Sequence, residues 1–256
     1  SSEEETNGER LSQELANLAD MFVLDGFAVA HRAAASVVGV AKYIPSYAGL
    51  LLSQEIAGLD KVMNKAKSPF VVVLGGAKTE TKLPIIKQLL PKADAILVGG
   101  GILTTYLAGA GYGVGASLVD KEFLKEAVVY GKKKKVILPL DVIVGKKDGT
   151  GVRVVSLEKK PHVICKKTEA IFDIGPASIG LFASYIKTAN TLVWNGAMGY
   201  FEQKPYDVGT LSLARLVASR SKGPAFGVIG GGETVQAMEL VDMTDSIDLV
   251  STGGGA

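Results

Sequence analysis

The chain has 256 residues, 47% of them hydrophobic and 21% charged, with a formal net charge of +2. That balance supports a sizeable core and excludes an intrinsically disordered chain, and so small a charge excludes a dedicated nucleic-acid binder. A single cysteine, Cys165, excludes an internal disulfide, and two histidines, His31 and His162, are too few for an ordinary zinc site.

The N-terminal SSEEETNGER is acidic and polar, unlike a signal or transit peptide. No apolar run approaches the ~20 residues of a membrane span. The expectation is a soluble protein of a reducing cytoplasm. Leu11, Leu15 and Leu18 have helical spacing and predict a surface helix. MFVLDGF predicts a short strand ending at Asp25–Gly26. A second helix is expected over 33–43, before Pro45. Leu52, Ile56, Leu59 and Met63 mark one face of a longer helix that stops near Lys67-Ser68-Pro69. From Phe70 onward, short apolar strands alternate with helical patterns. The strands are expected at 70–74, 95–99, 135–140, 190–194 and 226–230. The helices are expected at 79–90, 101–110, 121–130, 177–187, 208–221 and 233–241. Continuous apolar strands separated by helices indicate an α/β fold with a doubly wound parallel sheet. Residues 141–170 break the rhythm and read as a β-hairpin excursion with its turn at Asp148–Gly149. The lysine run 132–135 reads as a solvated face at a helix end.

Glycine is in excess, 31 residues. It clusters where strands end: Gly75–Gly76, Gly99–Gly101, Gly196 and Gly230–Gly232, with Gly253–Gly255 closing the chain. In an open parallel sheet such ends line one edge, where ligands bind and where helix N-termini favour anions. The combination points to a phosphate-bearing ligand. No Walker-type loop occurs, and the glycine pattern 111–116 follows a helix, so it reads as a turn and not a dinucleotide fingerprint. An NAD-dependent oxidoreductase is disfavoured for the same reason, since the first strand of the sheet ends in GGAK. Lys78 and Lys82 lie one turn apart at a helix start, where cations oppose the helix dipole and repel each other. A bound polyphosphate would reverse both penalties. Glu233 opens the helix after Gly230–Gly232, either as a plain N-terminal charge or as a magnesium ligand. Asn195 is a turn residue or a phosphate contact. Asp173 reads as a capping acid, Trp194 as core and Cys165 as a buried thiol.

Taken in order, LGGAKTETK (74–82), VGGGI (98–102), LPLDVIV (138–144), DIGPAS (173–178), WNGAMGYFE (194–202), GGGET (230–234) and STGGGA (251–256) resemble phosphoglycerate kinase, as does DGFAVAHRAAAS (25–36). The resemblance implies a Rossmann-like nucleotide domain at 68–256, an interdomain helix at 47–67 and, at 1–46, a remnant of a second α/β domain that takes phosphoglycerate. It implies reversible phosphoryl transfer between 1,3-bisphosphoglycerate with ADP and 3-phosphoglycerate with ATP, with Mg2+, by a protein that is monomeric at full length. Gly75, Gly76, Gly99 and Gly100 would border the adenine pocket. Lys78 and Lys82 would meet the phosphates, Asn195 a phosphate and Glu202 the ribose. Glu233 would hold magnesium. Gly231, Gly232, Thr234, Gly253 and Gly254 would offer donors to the nucleotide. Arg32, Lys82, Gly232 and Gly255 would serve the transferring group. Most of the family's N-terminal domain and its closing C-terminal segment have no counterpart here. These 256 residues are therefore expected to bind nucleotide with little turnover. The alternative is a non-catalytic nucleotide-binding or interaction module. Ala34, Ala197 and Glu233 depart from the family pattern, where histidine, proline and aspartate are usual.

Overall fold

The computed structural model describes residues 1–159 and 161–253. It divides into two units, Ser1–Asn64, to which Ser251 and Thr252 return, and Lys65–Val250. The first division thus falls at Asn64, inside the helix expected to join two domains.

In the first unit, α1 (Ser2–Glu5) is followed by α2 (Glu9–Ala16). Helix α2 buries Ser12 and Ala16, not the leucine stripe. It caps at Asn17, so Leu18 falls beyond its end and is 79% exposed. Strand β1 (Phe22–Leu24) pairs in parallel with β2 (Ser46–Ala48). The helix expected over 33–43 is not an α-helix. The Val37, Val38 and Gly39 amides all donate to the Ala34 carbonyl, which widens the turn at Ala35–Gly39 into a π-helix before a tight turn at Val40–Lys42. Helix α3 (Leu50–Lys65) buries Leu52, Glu55 and Val62, while Ile56 of the expected stripe is exposed. A buried acid took the place of an apolar residue on that face.

The second unit follows the predicted alternation closely. Its elements run β3 (Phe70–Leu74), α4 (Thr79–Leu89), β4 (Ala95–Val98), α5 (Gly100–Gly109), β5 (Gly113–Val114), α6 (Leu124–Gly131) and β6 (Val136–Ile137). They continue through β7 (Asp141–Gly145), β8 (Arg153–Ser156), β9 (Val163–Cys165), β10 (Ala170–Ile174), α7 (Pro176–Ile186), β11 (Thr191–Asn195), α8 (Val208–Ser221), β12 (Phe226–Gly230), α9 (Gly232–Leu240) and β13 (Leu249–Ser251). The main sheet has the order β13-β12-β11-β3-β4-β6, with parallel pairing from β12 through β6. Strand β3 is buried throughout, as a strand covered on both faces must be. Core side chains such as Trp194, Phe182 and Leu213 pack between this sheet and helices α7 to α9.

The interrupting segment is the expected hairpin. Strands β7 and β8 pair antiparallel, and Asp148 closes the turn by accepting from the Thr150 amide and hydroxyl at 3.0 and 2.7 Å. Strand β10 adds to β7, giving a three-stranded sheet over a second core that contains Val142, Val144 and the buried Cys165. Burial pushes the Cys165 thiol up to about 11, so it stays protonated and inert. The lysines at 132–135 are exposed, and the Lys135 ammonium donates to the Leu90 carbonyl at the end of α4. Among the described residues, no helix is long and apolar enough to cross a membrane.

Candidate functional site

Strands β3, β4, β11 and β12 end on the same edge of the main sheet, and their glycine turns pack on one another. The Gly75 amide donates to Asn195 O at 3.0 Å, Gly76 to Ala197 O at 2.6 Å, Gly100 to Met198 O at 3.0 Å and Gly101 to Gly76 O at 2.8 Å. A Cβ at Gly75 would lie 2.0 Å from Ala197 O. Much of the glycine content at this edge is therefore demanded by loop-to-loop contact within the chain. Gly232, the first residue of α9, is different: a Cβ there would meet nothing within 4 Å.

Beside these turns opens a cleft of about 600 Å³. Gly76, Gly100, Gly101 and Glu233 line one part, and Leu103, Ile171, Phe172, Tyr200 and Phe201 line an apolar part. Phe172 stacks on Tyr206 with ring centroids 4.6 Å apart, and Tyr200 tilts against it at 6.0 Å. The aromatic wall and Lys147, which also faces the cleft, do not stand out in the sequence. Phe172 and Tyr200 lie within or beside the motifs above, and an aromatic flanking a glycine turn was the available signal.

Lys82 rises from α4 and is buried. Its ammonium donates to the Asn195 carboxamide oxygen. Burial pulls its pKa down, and the Glu233 carboxylate partly restores it. Glu233 accepts from the Ala197 amide at 3.4 Å, and a Cβ at Gly76 would sit 3.0 Å from its carboxylate and 3.4 Å from the Lys82 side chain. Lys82, Asn195, Glu233 and Gly76 thus converge on one spot. Lys78, by contrast, is the exposed N-cap residue of α4, so the two lysines are not equivalent. Glu202 is exposed and faces the cleft. Gly99 caps α5, and Gly231 caps α9, next to Asn195. The Thr234 hydroxyl is fully buried and accepts from the Gly196 amide at 2.7 Å, while its own amide donates to Gly231 O at 3.0 Å. Arg32 belongs to the other unit and is exposed. Gly253 also lies with that unit, its amide donating to Ser251 Oγ at 3.3 Å. Gly254 and Gly255 lie outside the described residues.

Two acids behave as caps. Asp173 accepts from Gly209 and Ile174 amides at 2.6 and 2.8 Å, the former in the first turn of α8. Asp141 receives the Ala177 and Ser178 amides at 3.1 and 2.8 Å at the start of α7. The buried Thr79 and Thr105 hydroxyls meet at 3.0 Å and tie α4 to α5. Among the described residues, no group of three His, Cys, Asp or Glu side chains could hold a metal by itself. One hard oxygen donor, Glu233, suits a magnesium ion that takes its other ligands from phosphate and water.

The arrangement sets a glycine-rich rim, where Lys82, Asn195 and Glu233 converge, beside a cleft with apolar and aromatic lining. A family profile described as phosphoglycerate kinase matches residues 1–256. The chain is 39% identical over 259 residues to the phosphoglycerate kinase of Francisella tularensis subsp. holarctica, covering 99% of this chain and 64% of that protein. It is 41% identical over 258 residues to that of Thermosipho africanus, again covering 64% of the relative. Among solved structures, phosphoglycerate kinase from Coxiella burnetii superposes with a TM-score of 0.85 at 38% identity, covering 98% of this chain and 65% of that one. The Pyrococcus horikoshii enzyme gives 0.84 at 28% identity, over 100% and 66%. The chain spans about 64% of the length of the relatives it matches. On the profile, the identity and the shared fold together, the chain belongs to the phosphoglycerate kinase family.

Proposed function

We propose that the second unit binds MgADP or MgATP, and that the protein transfers a phosphoryl group between 1,3-bisphosphoglycerate and ADP, or from ATP to 3-phosphoglycerate. The observation that carries the reading is the convergence of Lys82, Asn195 and Glu233 beside Gly76, at the rim of an apolar cleft. The purine would lie against Phe172 and Tyr200 with Glu202 at the ribose, and the phosphates would run past Gly76 toward Lys82 and the start of α9. Magnesium, held by Glu233 and phosphate oxygens, would neutralise charge on the phosphates.

In the ATP-consuming direction, a carboxylate oxygen of 3-phosphoglycerate bonds to the γ-phosphorus while the bond to the β–γ bridging oxygen breaks and ADP leaves. The acceptor is already an anion, so no side chain has to remove a proton. The protein's part is to position the groups and to neutralise the equatorial oxygens. Lys82 suits that role, because a desolvated ammonium interacts with phosphate more strongly than an exposed one. Arg32 would act from the acyl-phosphate side, Gly232 and Gly255 along the transfer path, and Lys78 on the nucleotide phosphates. The 256 residues alone are expected to turn over little, because acceptor binding and closure supply much of the barrier reduction.

Calorimetry tests the reading. The chain is expected to take up MgADP at one site, and Lys82→Ala to weaken it by about tenfold or more through loss of a charge-assisted contact. No heat with the wild-type chain, or an unchanged Kd in Lys82→Ala, would refute it.

A further inference from the structure

We infer that the Thr234 hydroxyl and the Trp194 indole are a positioning device: together they hold the two peptides that flank Gly196 and so help to fix the Asn195 carboxamide against the Lys82 ammonium. What the aimed groups bind rests on the nucleotide reading above; the clamp itself does not.

The loop after β11 is bonded at every amide from Gly196 to Tyr200. Gly196 donates to Thr234 Oγ1 at 2.7 Å and Ala197 to the Glu233 carboxylate at 3.4 Å. Met198 and Gly199 both donate to Thr210 Oγ1, at 3.1 and 3.3 Å, and Tyr200 to Phe172 O at 2.7 Å. None of these amides is left for a phosphate. The Asn195 side chain precedes these amides and meets the Lys82 ammonium, and its direction depends on how the next peptide is held.

Gly196 is held on both sides, through the peptide that precedes it and the peptide that follows it. Its amide meets Thr234, and its carbonyl accepts from Trp194 Nε1 at 2.9 Å. Both partners are completely buried. Gly196 has φ +93°, and a Cβ there would lie 2.5 Å from Gly75 O, so the backbone occupies a conformation that other residues rarely adopt. Thr234 comes from α9 and Trp194 from the core of the main sheet, so the clamp ties the Asn195 turn to the same helix that carries Glu233. The Thr234 hydroxyl therefore takes part in setting the relation among Asn195, Lys82 and Glu233. Thr234 is a positioning residue, and Trp194 is more than core filling.

The test uses the 256-residue chain with Thr234→Val, which keeps the shape and removes the hydroxyl, Thr234→Ser, which keeps the hydroxyl, and Trp194→Phe, which removes the indole donor. Two quantities are read: the side-chain amide NMR signals of Asn195 without ligand, and the Kd for MgADP. Thr234→Val is expected to shift and broaden the Asn195 signals, because the Gly196 amide loses its acceptor, and to weaken MgADP. Thr234→Ser is expected to restore both, and Trp194→Phe to move the Asn195 signals as Thr234→Val does. Unmoved Asn195 signals in Thr234→Val overturn the clamp, whether or not affinity falls; a fall alone would mean direct contact with the nucleotide. Should Thr234→Val not fold, Trp194→Phe is judged by the same criteria. If the wild-type chain takes up no MgADP, the nucleotide reading fails while the ligand-free spectra still decide the clamp.

Discussion

Asp173 shows how burial can set the chemistry of a single side chain. Burial pushes its pKa from 3.8 to about 8, against the opposing pull of the Gly209 and Ile174 amides, and the nearby Asp207 carboxylate adds to the rise. The unfolded chain loses that proton near the ordinary aspartate value, whereas the folded chain keeps it. Between those two values the folded state binds more protons, so stability falls as pH rises through that window. Asp173→Asn cannot ionise and removes this contribution. Urea midpoints are expected to drop more for the wild type than for the variant from about pH 5 to about pH 8. Equal drops would mean that the start of α8 keeps the carboxylate ionised. From the sequence Asp173 reads as a cap. That reading holds, but which helix it caps depends on contacts 36 residues away.

At the scale of elements, two glycines on the same sheet edge make opposite predictions. At Gly75 an added methyl would meet a backbone oxygen at 2.0 Å, so Gly75→Ala forces two strand-end turns apart and is expected to cost about 1–3 kcal/mol. At Gly232 the added methyl meets nothing, so Gly232→Ala is expected to leave the unfolding free energy within about 0.5 kcal/mol. The same variant is expected to weaken MgADP, because the open space at the start of α9 is where a phosphate would approach. Denaturation and calorimetry on the two variants check this; a stable Gly75→Ala, or a Gly232→Ala that binds normally, contradicts it. The elements themselves were legible where one period dominated. FVVVL and its counterparts could only be strands covered on both faces. The stretch 33–43 departs from its expected form because helical periodicity does not say whether the amides reach back four residues or five. Strand β13 is short and only partly buried, and its pattern gave no signal.

At the scale of the whole molecule, Glu55 has the longest reach of the side-chain hydrogen bonds among the described residues. This buried acid on α3 accepts from Ser251 Oγ at 2.9 Å, from the Thr252 amide at 3.0 Å and from Thr252 Oγ1 at 2.7 Å, across nearly 200 residues of sequence. It ties the segment leading into the final glycine run back to the first unit. Glu55→Ala leaves three polar groups without their acceptor, and hydrogen exchange at the Thr252 amide is expected to speed up by about tenfold or more. Unchanged exchange would show that the segment is held by other means. No periodicity could announce this residue, since its position on α3 lies next to one expected to be apolar.

The sequence by itself determined the alternation of strands and helices, the shared edge where glycines gather and, through its ordered motifs, the family. These follow from local period and local composition, which act over a few residues. Tertiary structure decided what each site residue faces. It separated buried Lys82 from exposed Lys78, gave Thr234 to the Gly196 peptide and built an aromatic wall from Phe172 and Tyr200. Those outcomes depend on burial and on hydrogen-bond partners far apart in the chain, and neither is written in the spacing of residues along it.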